Sequence, residues 1–227
     1  MRVVLLTYTP NPIRTLYVAA RTCYSDAGPS HIEERDEETM KRLIKNIYIS
    51  GHESILEHIS FTFGIEGVSR VLTHQLVRHR LASYSQQSQR YVKVKENYVI
   101  PPSIKKNKRA LSAFEQELEN INKIYENLIG MGVPKEDARF ILPNATKTNI
   151  VMSMNLRELI HTSELRLCFR AQWEIRMLFT YIKHEVKRVD KFLASLLNPI
   201  CIRLGYCPEK ESCGLRPIKK EVIGDKG

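Results

Sequence analysis

The chain has 227 residues, 43% apolar and 26% charged, which is a globular composition rather than a fibrous or disordered one. Its net charge of +10 favours an anionic partner, whether nucleotide, nucleic acid or membrane surface, without choosing among them. No segment reaches the ~20 apolar residues needed to cross a bilayer.

The opening MRVVLLTYTPNPIR has too short an apolar run for a secretory leader, so a cytoplasmic protein is expected. RVVLLTY (2–8) reads as a buried strand, and Pro12 opens a helix through PIRTLYVAARTCYS. EERDEETMKRLIKNIYISG (33–51) predicts a helix, with acids in its first turn and Gly51 as its stop. HISFTFGIE (58–66) alternates strictly, as a half-buried strand does. VSRVLTHQLVRHR (68–80) predicts a helix that delivers Arg78 at its end. YVKVKENYVI (91–100) reads as a strand, and PPSIKKNKR after it as a polar, basic loop. Leu111, Phe114, Leu118, Ile121, Tyr125 and Leu128 mark a long amphipathic helix ending at Gly130. A helix between Pro134 and Pro143, a strand over 147–155 and helices over 155–167 and 170–197 complete the chain.

Four groups of residues carry potential chemistry. In RHRLASYSQQSQRY (78–91), Arg78, Arg80 and Arg90 flank serines and glutamines with no acid to neutralise them. A solvated basic face followed by a polar loop accounts for such a run. So does an anion site, because guanidinium forks match phosphate oxygens while Ser and Gln add neutral donors and acceptors. GHESILEH (51–58) places its two histidines six apart rather than the four of a zincin helix, so no metal is expected. In NLRELIHTSELRLCFRAQWEIR (155–176), Asn155, Arg157 and His161 share no single helical stripe, which suits a pocket wall at a strand-to-helix junction. The five cysteines form no CxxC pair, and none has neighbours that mark a lowered thiol pKa. Neither GxGxxG nor GxxxxGK[ST] occurs, so any nucleotide must be held by Arg, His, Ser and Asn side chains. A basic nucleic-acid module and a flavin-free phosphotransferase remain alternatives at this point. Nucleic-acid grooves usually interleave aromatic residues with the cations, and this run has few.

Arg78-His79-Arg80, Ser83, Ser88 and Arg90 fit the RHRxxSxxxxSxR signature of the flavin-dependent thymidylate synthases. GHESILEH, DARFILP and NLRELIH with LRL and RAQWEI resemble further motifs of that family, so the resemblance runs over roughly 15–197. It implies an α+β fold with a central, mostly antiparallel sheet flanked by helices, in a homotetramer with shared active sites. One domain over 1–200 is expected, followed by a cysteine-containing tail, 201–227. The implied reaction is reductive methylation of dUMP to dTMP, with methylenetetrahydrofolate as carbon donor, FAD as cofactor and NADPH as reductant. It involves no nucleic acid, membrane or metal.

By resemblance, His52, Ser54, Arg78, His79, Arg80, Gln86, Asn155, Arg157 and His161 hold FAD. Gln75, Arg78, Gln86, Gln87, Ser88, Gln89, Arg90, Arg139 and Arg166 hold dUMP. Arg166 is the catalytic residue, set against the pyrimidine. The chain departs from the pattern at four points, one of them Cys23, which aligns roughly with a Ser of some members. Gln86 stands where many members carry Glu, His161 where others carry Asn, and Arg170 where some carry His.

Overall fold

The computed structural model describes residues 1–92 and 97–224. Four strands form one antiparallel sheet of order β1-β2-β4-β3: β1 (Arg2–Tyr8), β2 (Ser60–Ser69), β3 (Ala82–Gln86) and β4 (Lys147–Asn155). The α+β expectation is met. By the density of internal contacts the chain divides into two compact units, and every strand passes from one to the other.

The first unit comprises residues 1–2, 65–78 and 84–151. It holds α3 (Arg70–Leu76), α4 (Pro102–Lys105), α5 (Lys108–Gly130) and α6 (Lys135–Ala138). Ile65, Val68, Leu72, Leu76, Leu118, Tyr125, Ala138 and Ile150 are its buried apolar side chains. Spacings of three and four place Leu118 and Tyr125 on the apolar stripe of α5.

The second unit comprises residues 3–64, 79–83 and 152–227. It holds α1 (Pro12–Thr22), α2 (Glu37–Ile49), a 3-10 segment at Glu53–His58, α7 (Leu156–Arg166), α8 (Trp173–Val189), α9 (Lys191–Leu196), α10 (Ile200–Leu204) and α11 (Lys219–Ile223). Phe61 and Phe63 of β2 are fully buried and stack at 6.3 Å, with Leu159 of α7 and Leu178, Phe179 and Ile182 of α8 also fully buried. Burying each such side chain stabilises the fold by about 1.5–3 kcal/mol before entropic costs.

Several boundaries differ from the sequence reading. β2 continues to Ser69, whose hydroxyl then accepts the Leu72 N–H and starts α3, so the helix expected over 68–80 is only seven residues long. The stretch expected as a basic loop forms α4 and the start of α5 instead. Pro102 occupies the first turn of α4, and the Asn107 side chain caps α5 by accepting from the Arg109 and Ala110 N–H groups. The helix expected over 170–197 breaks at Asp190, whose carboxylate caps α9 at the Leu193 N–H. β3 falls where the sequence predicts no strand. The strand expected over 91–100 lies partly outside the described residues; at its end Tyr98 forms an isolated antiparallel bridge with Thr146.

Candidate active site

In the first unit, the polar run after β3 lies beside the start of β4. The backbone N–H of Gln87 donates to Asn149 O at 2.9 Å, and the Gln87 side-chain oxygen accepts from Asn149 Nδ2. Gln86 is held from behind: its amide nitrogen donates to Thr73 Oγ1 at 3.0 Å and to Thr148 Oγ1 at 3.5 Å. Both threonines are buried. The amide nitrogen of Gln86 thus serves both threonine hydroxyls.

Gln87, Ser88 and Gln89 line a cavity of ≈ 290 Å³ together with Arg70, Lys147 and Asn149. Arg70 was not singled out from the sequence. Its Nη2 donates to Gln87 O at 3.0 Å, while its buried Nε–H has no partner. Burial, and then the neighbouring charge of Arg139, lower its pKa. A buried, unspent donor beside a second guanidinium is the signature of a place kept for an anion. The only cue to Arg70 in the sequence was a lone arginine opening α3, too common to stand out.

Gln75, Arg78, Arg90 and Arg139, also expected at the site, do not line this cavity. Gln75 is half-buried, and its amide reaches Val71 O at 3.5 Å. Arg78 is exposed, without a carboxylate partner among the described residues. Arg90 is an ion pair with Glu136 at 2.7 Å, and Arg139 Nε donates to Glu136 O at 3.0 Å.

In the second unit, α7 follows β4 directly and carries Arg157 and His161, with Asn155 at the junction. Asn155 caps it, its side-chain oxygen accepting the Glu158 N–H at 2.8 Å. Arg157 points to the 3-10 segment and pairs with Glu57 and, at 3.5 Å, with Glu53. The acids of GHESILEH are therefore spent on Arg157, while His52 and Ser54 are exposed. Arg80 is exposed with no carboxylate partner among the described residues, and His161 is exposed on α7. Arg170 donates to the Glu211 carbonyl and carboxylate.

His79 and Arg166 meet. Arg166 Nε lies 3.0 Å from His79 Nε2, and His79 Nδ1 lies 3.7 Å from Glu158 Oε1. His79 is only 7% exposed. Burial, and then the charges of Arg166 and His161, push its pKa down from 6.5 to about 4, so the ring is neutral at pH 7. Burial lowers the pKa of Arg166 as well. Glu164, two residues before Arg166, is engaged elsewhere. Glu164 takes a bidentate contact from Arg203, and the backbone N–H of Glu174 helps start α8.

The Thy1 family, described as thymidylate synthase complementing protein, matches residues 4–190. A flavin-dependent thymidylate synthase of Pyrococcus abyssi is 46% identical over 221 residues, covering 93% of this chain and 91% of its own. The chain belongs to the flavin-dependent thymidylate synthase family. A member from Clostridium tetani is 43% identical and covers 98% of this chain and 96% of its own, a span that takes in most of the segment after residue 200. A member from Nitratidesulfovibrio vulgaris is 44% identical over 97% of both chains. The fold is also that of a UMP/dUMP methylase from Streptomyces cacaoi, solved with 5-Br dUMP bound. That structure has a TM-score of 0.79, 21% identity, and coverage of 86% of this chain and 93% of its own.

The flavin in the family's name was tested against the residues present. Arg78 and Arg80 are unneutralised cations among the described residues, and His161 is an exposed imidazole. Guanidinium and imidazole donors of this kind fit the pyrophosphate of a dinucleotide. Arg157 fits less well, because Glu53 and Glu57 already neutralise it.

Proposed function

We propose that this chain methylates dUMP to dTMP reductively, taking the carbon from methylenetetrahydrofolate, with FAD as tightly bound cofactor and NADPH as reductant. The observation that carries the reading is Arg166. It is a partly buried guanidinium with no carboxylate in reach among the described residues, and its Nε is committed to a neutral histidine. Desolvating a cation without a counter-ion is costly, and a fold that does so keeps the charge for a ligand.

When bound, FAD supplies the reducing equivalents that complete the methyl group. The rest is binding and electrostatics. Arg78 and Arg80 hold the cofactor's phosphates, with His52, Ser54, His79, Gln86, Asn155, Arg157 and His161 as further contacts. Arg139 holds the dUMP phosphate, and Arg70 takes a place in the same set. Gln75, Gln86, Gln87, Ser88, Gln89, Arg78 and Arg90 surround the nucleotide with neutral donors and acceptors among the cations. Arg166 lies at the pyrimidine edge and stabilises the negative charge that develops as C5 becomes nucleophilic. The chain works in the cytoplasm as a homotetramer with shared active sites, and residues 1–200 act as one functional domain.

The protein should take up FAD, visible as flavin absorbance, and should form dTMP from dUMP, methylenetetrahydrofolate and NADPH. A protein that retains no flavin when FAD is added would sink the reading. Arg166→Ala should lower turnover about 10²- to 10³-fold, or about 2.7–4 kcal/mol of barrier, with flavin content unchanged. Arg166→Lys should recover only part of it, since a point charge does not replace a planar fork.

A further inference from the structure

We propose that Glu158 is a positioning residue for Arg166, acting through His79. The inference rests on the reading of Arg166 as the group at the substrate, and it concerns a residue to which neither the signature nor the family resemblance gives a role.

The three side chains form a chain of contacts. A neutral imidazole has one N–H and one lone pair. Arg166 Nε–H faces His79 Nε2 at 3.0 Å, so Nε2 must present its lone pair and the ring proton must sit on Nδ1. Nδ1 faces Glu158 Oε1 at 3.7 Å. That separation exceeds a hydrogen bond, so the contact is electrostatic. It still selects the tautomer. The other tautomer would set a lone pair against a carboxylate oxygen on one side and an N–H against an N–H on the other. Which imidazole nitrogen carries the proton is decided by what the opposite nitrogen faces.

Glu158 is itself fixed. It is 6% exposed, its oxygen accepts the Thr162 hydroxyl at 3.3 Å, and its backbone N–H is capped by Asn155. Among the groups around His79, Glu158 lies 3.7 Å from Nδ1, and Arg166 and His161 lower its pKa; all three are on α7. His79 thus reads the α7 carboxylate and passes its orientation to the α7 guanidinium eight residues on. With Nε anchored, the plane of Arg166 is set and its terminal nitrogens are left for a ligand.

The test is a double-mutant cycle on the FAD-loaded enzyme, with dUMP KM, kcat and flavin content measured for each variant. Glu158→Leu should lower kcat on the order of tenfold or more, as loss of an orienting partner does, with KM and flavin content little changed. Glu158→Gln should stay close to the parent, because its carboxamide oxygen can still face Nδ1–H. In an Arg166→Ala background, Glu158→Leu should cost nothing further. Parent-like kcat in Glu158→Leu, or a loss that adds in full to that of Arg166→Ala, would overturn the proposal. Parent-like turnover in Arg166→Ala alone would instead remove the reading of Arg166, and is recognised because Glu158 is intact. A readout independent of activity, and of any variant's folding, is the ¹⁵N spectrum of the His79 ring in the parent protein. It should report a proton on Nδ1; one on Nε2 would refute the relay.

Discussion

At the scale of single residues, the chain shows how charge becomes specific by being left unpaired. Arg90 and Arg157 looked as promising in the sequence as Arg166, yet Glu136, Glu53 and Glu57 take them up. Pairing depends on residues distant in the chain, so sequence spacing shows which cations exist and not which remain available. Arg70 illustrates the converse, an unremarkable arginine whose Nε is buried and unspent. His79 carries a second consequence. Its folded pKa, about 4, lies below the 6.5 of an unfolded histidine. Between those values the unfolded chain binds more protons at this position, so the contribution of neutral His79 is complete above about pH 6.5. It is lost as pH falls toward 4, up to about 3 kcal/mol in all. Denaturant unfolding of the parent and of His79→Gln should therefore diverge in slope over that window, with the parent losing stability more steeply. Parallel curves would show that His79 titrates normally in the fold.

At the scale of elements, legibility followed how strongly one face is buried. The alternating part of β2, α2, α5 and β4 were readable because apolar residues recur with the period of the element that buries them, whereas β1, expected as a buried strand, is a strand with no buried residue. β3 was not readable. ASYSQ has serines, a tyrosine and a glutamine, and the Tyr84 hydroxyl spends itself on Leu76 O at 2.9 Å rather than in an apolar core. Its strand character comes from pairing with β4, which leaves no hydrophobic rhythm in the sequence. Caps account for two further differences: Asn107, expected in a loop, and Asp190, expected inside a helix, each start a helix. Tertiary ties between elements were equally hidden. α10 is held to α7 by the contact of Arg203 with buried Glu164. Arg203→Met keeps the bulk of the stem but leaves the carboxylate buried and alone. Because Arg203 is itself partly exposed, the expected cost is nearer about 1–3 kcal/mol than the 3–5 of a fully buried pair. Glu164→Gln in the same chain should restore part of the loss. Equal stability of Arg203→Met and the parent in denaturant would mean that the pair is solvent-screened and structurally idle.

At the scale of the whole molecule, the outline of the activity was legible in one signature, whereas the assembly was legible only through family resemblance. The described surface has features that support a multi-subunit reading. In the first unit Phe140, next to Arg139, is 86% exposed, and in the second Leu81, next to Arg80, is 73% exposed. A large apolar side chain held in water forgoes about 1.5–3 kcal/mol of burial, and two that directly follow proposed ligand-binding arginines are poorly explained in a monomer. If a second copy covers Phe140, then Phe140→Glu places a charge in an apolar contact, where it cannot be solvated without opening the interface. The variant should sediment as smaller species than the parent, take up less FAD, and lose at least about tenfold in dTMP formation. Phe140→Leu, which keeps the apolar contact, should remain assembled and active. The arginine itself stays in place, so loss of activity together with assembly would trace the defect to the missing subunit. If Phe140→Glu sediments like the parent and turns over normally, Phe140 faces solvent in the working enzyme and another surface must carry the assembly.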